Sequence, residues 1–538
     1  MAGVNAAAFH GGPSESEAGG IASWGDAHRN GVEELEVAPL DSHNVRLLDN
    51  VHPFRWQNPE PSGRYNLVVV GAGAAGLVSA AGAAGVGAKV AIVERHLMGG
   101  DCLNVGCVPS KALIRCARAI HEAKNGKCFG LEIDGEVKTD FGAVMERMRK
   151  LRADISKVDS SQRFANLGVD VFQGNGQFTG PDTLEVEGKK LSFVSAIVAT
   201  GGRASVPPIP GLKDVPHLTN ATLFNLTKLP ARLGVIGGGP IGMELAQSFQ
   251  RFGSQVTVLD VADRVLLKEE REAADIVYEA CLSEGVKFVL PAKINRVAKN
   301  AEGEIQLSLD GDGTQKPLVV DALLVAAGRA PNVEDMGLEE AGVKFDKRVG
   351  VHVDDYMQTS NKRIYAVGDV CTMYKFTHVG DFMARLAIRN ALFYGRQKVS
   401  SLLIPWATYT EPEIAHVGAY ETELKASGVA YDVYKRELNE VDRAILDGVK
   451  HGYVKVFTKG GTDQIVGATV VADDAGNMIS ELTLAMQKKV GLGALASVIH
   501  PYPTQAEAIR QCGDQYNKTR LTSTVKSIFN KLMAWKRK

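Results

Sequence analysis

The sequence predicts an α/β protein with two Rossmann-like dinucleotide-binding domains and a smaller C-terminal α+β domain. Three observations predict it. The chain has 538 residues, too many for one hydrophobic core, and at roughly 100–200 residues per domain it divides into about three. A strand, glycine turn, helix, strand pattern occurs twice, at residues 65–95 and 232–260. Beyond Tyr394 the pattern changes to mixed strands and helices, broken by Pro405, Pro412, Pro501 and Pro503.

With 45% hydrophobic and 23% charged residues the composition is that of a globular protein, and a formal net charge of -1 gives no general attraction to nucleic acid or anionic membrane. Small molecules are the expected partners. Seven cysteines are too sparse for a disulfide framework, and Cys102, Cys107, Cys116 and Cys128 crowd into one segment, which fits a reducing compartment with specialised thiols. Residues 1–62 read as an N-terminal extension, disordered at least through Gly20, where Ala, Gly and Ser leave too little apolar surface to offset ordering entropy. The first 50 residues hold eight acids and two arginines. That is the reverse of an organellar leader, and no apolar signal core is present, so a cytoplasmic location is expected.

The uncharged stretch 67–88 is long enough to cross a bilayer, but it contains six glycines. Gly71, Gly73 and Gly76 follow a Leu-Val-Val-Val run and read as a buried strand turning into a helix, so no stable membrane insertion is expected. Such glycines let a backbone approach a pyrophosphate at a helix N-terminus, where free N–H groups favour negative charge. Glu94, 18 residues past Gly76, is placed to hold a ribose hydroxyl. In the second copy, Gly237, Gly239 and Gly242 are followed by Asp260 at the corresponding strand end. A carboxylate there bonds a free 2′-hydroxyl and repels a 2′-phosphate, which favours NADH over NADPH; Arg264, four residues on, is the competing feature. Between the two units, residues 169–200 alternate apolar runs with turn residues and read as a small β-meander.

Cys102-Leu-Asn-Val-Gly-Cys107-Val-Pro-Ser-Lys111 is the most specific stretch. Gly106 lets the chain bend so that the two sulfurs meet, and the helical spacing of residues 112–120 puts the pair near a helix N-terminus, which lowers thiolate pKa. His96 and His121 do not complete a zinc pattern, so no metal site is expected.

At these residues the chain resembles the pyridine nucleotide-disulphide oxidoreductase family, the group of dihydrolipoyl dehydrogenase, glutathione reductase and mercuric reductase, over about residues 65–517. The resemblance implies an FAD-binding domain at 63–210 and 331–395, an NAD(P)H-binding domain at 211–330, and a dimerisation domain at 400–520 that completes the active site in a homodimer. It implies that the first glycine motif binds FAD and the second NAD(P)H. By position Cys107 is the flavin-facing thiolate of a charge-transfer complex, and Cys102 the thiol that exchanges with substrate. Lys111 and Glu244 resemble the ion pair near the flavin, although Lys111 also reads as an exposed helix lysine. Ala366-Val-Gly-Asp369 is similar to the family's second FAD motif, with Asp369 toward the ribityl chain and pyrophosphate. Thr200 and Gly201, with Gly328 and Arg329, resemble the crossovers between the FAD and NAD domains.

One departure stands at the carboxyl end. Where the family's disulfide reductases have a His-Pro-Thr triplet with a glutamate five residues after the histidine, this chain has Tyr502-Pro503-Thr504 and keeps Glu507. A phenol near pKa 10 is a far poorer acid than an imidazolium, and His500 stands two residues earlier. Tyrosine here resembles mercuric reductase, where two-electron reduction of a thiolate-bound soft ion needs no such proton donor; it also reads as a packed interface residue. Two further features of mercuric reductase are absent from this sequence: a metal-binding Cys-x-x-Cys domain before Cys102 and a cysteine pair near the C-terminus, since Cys512 is the last cysteine. The expected activity is an NAD(P)H oxidoreductase passing electrons through FAD and the cysteine pair to a soft metal ion or other acceptor. The alternatives are a low-molecular-weight disulfide reductase and a redox-sensing flavoprotein. The basic amphipathic tail, residues 521–538, puts Ile528, Phe529, Leu532 and Trp535 on one helical face, which is expected to pack on its own domain rather than on a membrane surface or partner.

Overall fold

The computed structural model describes residues 35–310 and 317–537; the Ala/Gly/Ser-rich opening stretch lies outside them. The described chain begins against the first domain. Helix α1 (Ser42–Val51), capped by Asp41 accepting from Asn44 N at 2.9 Å, buries Asn44, Leu47, Leu48 and Val51. Strand β1 (Tyr65–Val70), α2 (Ala74–Gly85) and β2 (Val90–Glu94) form the first strand–turn–helix–strand unit. Two helices follow, α3 (Gly100–Asn104) and α4 (Cys107–Asn125), then α5 (Phe141–Ser156), against which α1 packs.

Strand β3 (Val169–Gln173) pairs in parallel with β2, so it belongs to the dinucleotide-type sheet and not to the meander expected from its turn residues. Its Val169 and Val171 are needed to extend the apolar face that α1 and α2 cover. The meander proper is β4 (Gln177–Gly180), β5 (Thr183–Val186) and β6 (Lys189–Val198), paired antiparallel. Strand β6 also runs parallel to β1, with Val68 opposite Ala196, giving the order β3-β2-β1-β6-β5-β4.

The second unit repeats the first: β7 (Arg232–Ile236), α6 (Pro240–Phe252) and β8 (Gln255–Leu259). With β9 (Lys287–Val289) and β10 (Ala322–Val325) it makes a parallel sheet in the order β9-β8-β7-β10. The chain then returns, and β11 (Ile364–Ala366) joins β6 in the first sheet ahead of helix α7 (Thr377–Phe393), which packs on α2.

Five antiparallel strands build the last domain: β12 (Pro405–Thr408), β13 (Glu413–Gly418), β14 (Tyr431–Glu437), β15 (Tyr453–Lys459) and β16 (Ile465–Ala472), in the order β12-β13-β16-β15-β14. Helix α8 (Ala475–Gln487) lies against β13 and β16, and α9 (Glu507–Thr519) against β14 and β15. The tail is a separate helix, α10 (Ser523–Lys536), and it departs from expectation: none of its residues is buried. The sheet is already covered by α8 and α9, which leaves the tail no apolar face of its own domain to join. Among the described residues no helix is long and apolar enough to cross a membrane.

Candidate active site

The two glycine turns have matching construction. Gly71 and Gly237 have φ of +99° and +113°, a region glycine adopts without strain. A Cβ on Gly76 would overlap the Gly71 carbonyl oxygen, and one on Gly242 the Gly237 carbonyl, so these third glycines allow the helix to pack on its own strand. The middle glycines do the opposite: beyond Gly73 the nearest atom to a Cβ is Gly100 Cα at 3.8 Å, and beyond Gly239 nothing lies within 4 Å. Both cap their helices without a side-chain cap, which leaves the first-turn N–H groups of α2 and α6 free for a pyrophosphate.

The strand-end acids brace these turns. Glu94 accepts from Ala72 N at 2.6 Å and His96 N at 2.8 Å; burial pushes its carboxyl up and these two N–H groups oppose that. Asp260 likewise accepts from Gly238 N at 2.6 Å and Ala262 N at 2.9 Å. Arg264 is turned to its own loop, donating to the carbonyls of Leu266, Leu267 and Glu269 at 3.3, 2.9 and 3.2 Å. Glu269, buried, is held in turn by Trp406 Nε1 at 3.1 Å and Tyr420 Oη at 2.6 Å.

A cavity of about 1220 Å³ runs from the first glycine turn past the cysteine pair to the first turn of α6. Gly71, Glu94, Thr200, Asp369, Cys107 and Glu244 line it. Thr200 Oγ1 donates to Asn332 O at 2.8 Å, Asn332 Nδ2 donates to Thr200 O at 2.9 Å, and Asn332 N donates to Gly201 O at 3.0 Å, which ties the outgoing crossover to the returning one. Gly328, φ +128°, turns the return strand and accepts from Ser205 N at 2.9 Å. Asp369 is raised by burial, with Arg329 opposing from 3.5 Å; Arg329 also pairs with Asp101, yet its buried Nε has no hydrogen-bond partner. Free helix N–H groups, an open middle glycine, a half-buried carboxylate at the end of β2 and an unsatisfied guanidinium nitrogen together fit FAD.

Cys102 sits on α3 and Cys107 is the first residue of α4, five residues earlier than the helical spacing alone suggests. Both are free thiols in this structure. The hydrogen bond from Cys102, joined by Thr377 Oγ1 at 3.4 Å and the Lys111 charge, outweighs burial and pulls Cys107 down to about 6. The same bond, with burial, pushes Cys102 up. The pair is thus divided into one thiolate and one thiol. Lys111 Nζ meets Glu244 Oε2 at 2.8 Å; burial works against the ammonium, but Glu244 more than compensates and holds Lys111 above its usual value. Tyr409 clamps this ion pair, its ring 4.3 Å from Lys111 Nζ and its N–H donating to Glu244 Oε1 at 2.9 Å.

Beneath α3 lies a support reaching into the N-terminal segment. Arg152, buried and pulled down to about 10 by burial, donates to Asn104 O and to Asn44 Oδ1, each at 2.7 Å.

Tyr502, His500 and Glu507 are not brought to this cavity within the chain. Tyr502 is 71% exposed and donates to Asp442 Oδ2 at 2.9 Å, which raises it further above a phenol's usual range. His500 is bonded through Nε2 to Glu481 at 2.9 Å and through Nδ1 to Val498 O at 3.0 Å, and Glu507 accepts from Arg510 Nη2 at 2.5 Å. Thr377, Tyr409 and Arg152 were not singled out from the sequence. No motif spacing marks them: Thr377 is 270 residues from Cys107.

The profile of the pyridine nucleotide-disulphide oxidoreductase family matches residues 65–384, and that of its dimerisation domain residues 404–512. A mercuric reductase of Lysinibacillus sphaericus is 34% identical over 90% of this chain and 88% of its own length. A dihydrolipoyl dehydrogenase of Thermus scotoductus is 34% identical over 84% of this chain and 98% of its own. Among solved structures, the Cu(II) complex of the HOCl-induced flavoprotein disulfide reductase RclA from Escherichia coli aligns with a TM-score of 0.75 at 27% identity, covering 84% of this chain and 100% of that one.

Proposed function

The chain belongs to the pyridine nucleotide-disulphide oxidoreductase family, a family of FAD-dependent, NAD(P)H-using enzymes, and from that premise we propose that it passes electrons from NADH to a thiol-bound soft metal ion. Bound FAD supplies the two-electron relay between the nicotinamide and the cysteine pair. Around it the chain's own residues have separate tasks. Gly73 and α2 receive the pyrophosphate, and Glu94 the ribose. Thr377 and Lys111 hold Cys107 as a thiolate, while Glu244 and Tyr409 keep Lys111 in place. Cys102, still protonated, faces exchange with the incoming ion. The two cysteines displace the ion's two thiol ligands, the Cys102 proton leaving on one of them, and the pair then gives the ion two electrons, closing as a disulfide, so that NADH, H⁺ and Hg(SR)2 yield NAD⁺, Hg(0) and two RSH.

The observation that carries the metal-ion reading is the state of the carboxyl end: a phenol, Tyr502, stands in the place of the triplet's imidazole and donates to Asp442, and both nitrogens of His500 are turned to Glu481 and Val498, so neither presents an unengaged N–H or O–H to a leaving thiolate. The dimerisation domain supports a homodimer, in which a second copy would bring this end to Cys102. NADH is favoured because Asp260 directly follows β8 and Arg264 is committed to three carbonyls. A low-molecular-weight disulfide reductase is the second reading. His378 favours it: it follows Thr377 and lines the cavity, bonded at Nε2 to Pro405 O at 2.7 Å, which leaves Nδ1 available.

An acceptor panel separates them. With NADH as donor, Hg(II) in excess thiol and Cu(II) are expected to turn over faster than lipoamide or oxidised glutathione by about 10²-fold, the lower end of what a general acid contributes. Brisk lipoamide turnover that His378→Gln removes would establish the second reading instead.

A further inference from the structure

Helix α10 is not used by the electron-transfer site, and its surface is unusual in this molecule. Ile528, Phe529, Leu532 and Trp535 are 58%, 48%, 40% and 70% exposed. At 3.6 residues per turn these four and Val525 share one arc, bordered by Lys531 on one side and Lys526 on the other, with Lys536 at its C-terminal end. Residues 523–538 contain five Lys and Arg and no Asp or Glu, in a chain whose formal net charge is -1. The near neutrality of the whole therefore hides a local cationic segment. Thr522 Oγ1 accepts from Val525 N at 3.3 Å and starts the helix afresh after α9, so its face is set independently of the domain's packing.

The lysines along this arc favour an anionic cover over a neutral or cationic one. Pairing α10 with its own copy would bring lysine borders together, a repulsive arrangement. The segment also follows directly on the dimerisation domain, matched to residue 512, so a dimer carries two such helices. We propose that α10 seats the enzyme on an anionic phospholipid surface, with the apolar arc in the headgroup–acyl boundary and the lysines on lipid phosphates. The pattern is that of an interfacial helix: an apolar arc with a tryptophan in its last turn, cations along its borders and at its C-terminal end, no acids and moderate length. Each basic residue near an anionic leaflet strengthens partitioning by about fivefold, and two linked helices multiply their effects.

The test uses the full-length FAD-loaded protein and sedimentation with phosphatidylcholine vesicles, with and without phosphatidylserine. Wild type is expected to partition at least about tenfold more strongly onto phosphatidylserine vesicles, and to lose that advantage at high salt. Ile528→Glu with Leu532→Glu, and separately Lys526→Gln with Lys531→Gln, should abolish or weaken binding while NADH turnover is unchanged; no residue of α10 is buried, so folding is not at stake. Equal partitioning of wild type and a chain lacking residues 523–538 overturns the proposal. So does loss of the dimer in the Ile528/Leu532 variant by light scattering, which would assign the arc to a second copy.

Discussion

Cys107 and Tyr502 stand in opposite kinds of surroundings. Cys107 opens a helix inside the cavity, with Cys102, Thr377 and Lys111 all favouring its charged form. Tyr502 is 71% exposed, and its hydrogen bond to Asp442 makes it a weaker acid. The cysteine end of the candidate site is assembled within one folded chain, whereas Tyr502 lies outside its cavity. Electron entry is therefore expected to tolerate changes at the carboxyl end, and acceptor choice to depend on them.

The largest effect should come from Cys107→Ser. FAD content should be unchanged, but the long-wavelength absorption on partial anaerobic reduction should vanish and turnover fall on the order of 10³-fold or more. A surviving band would remove Cys107 from its assigned place. Next is pH. A thiol lowered from 9.0 to about 6 is ionised above that value and protonated below it, so the band should be present at neutral pH and fade as pH falls through about 6. In Lys111→Met the midpoint should move up by about one unit, leaving about tenfold less thiolate below it. An unmoved midpoint would show that Thr377 and Cys102 suffice.

At the donor side, Asp260→Ala should lower kcat/KM for NADH by about tenfold and, by relieving the repulsion of a 2′-phosphate, raise that for NADPH, narrowing the preference measured in paired assays. A gain for NADPH beyond NADH would mean that Arg264 leaves its carbonyls. The smallest effect belongs to Tyr502→Phe: reduction by NADH in stopped flow should change by about twofold or less, with any loss confined to acceptor turnover. A slowed reductive phase would join the two ends that the single chain keeps apart.

The glycine turns, the two strand-end acids and the cysteine pair were legible because each is set by spacing within one short segment. Lys111 and Glu244 meet at 2.8 Å across 133 residues, and family resemblance, not spacing, named them. Thr377 and Tyr409 were invisible because their roles arise only when distant segments fold together. Arg264 had two uses open to it in sequence, and only the loop's conformation decides between phosphate and carbonyl partners. The tail shows the same limit from the other side: helical spacing reveals an apolar arc, but what covers it depends on whether α8 and α9 have already filled the sheet.

The Asn44 amide oxygen that receives Arg152 lies 21 residues before the first position the family profile shares, Tyr65. The border of the profile and the border of the packed domain therefore fall in different places. A fragment trimmed to the shared region would strand a buried guanidinium and lose Leu47, Leu48 and Val51, all 0% exposed in the intact chain, which would uncover the apolar surface of Ala153 and Phe164 in the same core. For anyone dissecting this enzyme, a cut at the first profile residue would pass through the packing of the first domain, not beside it.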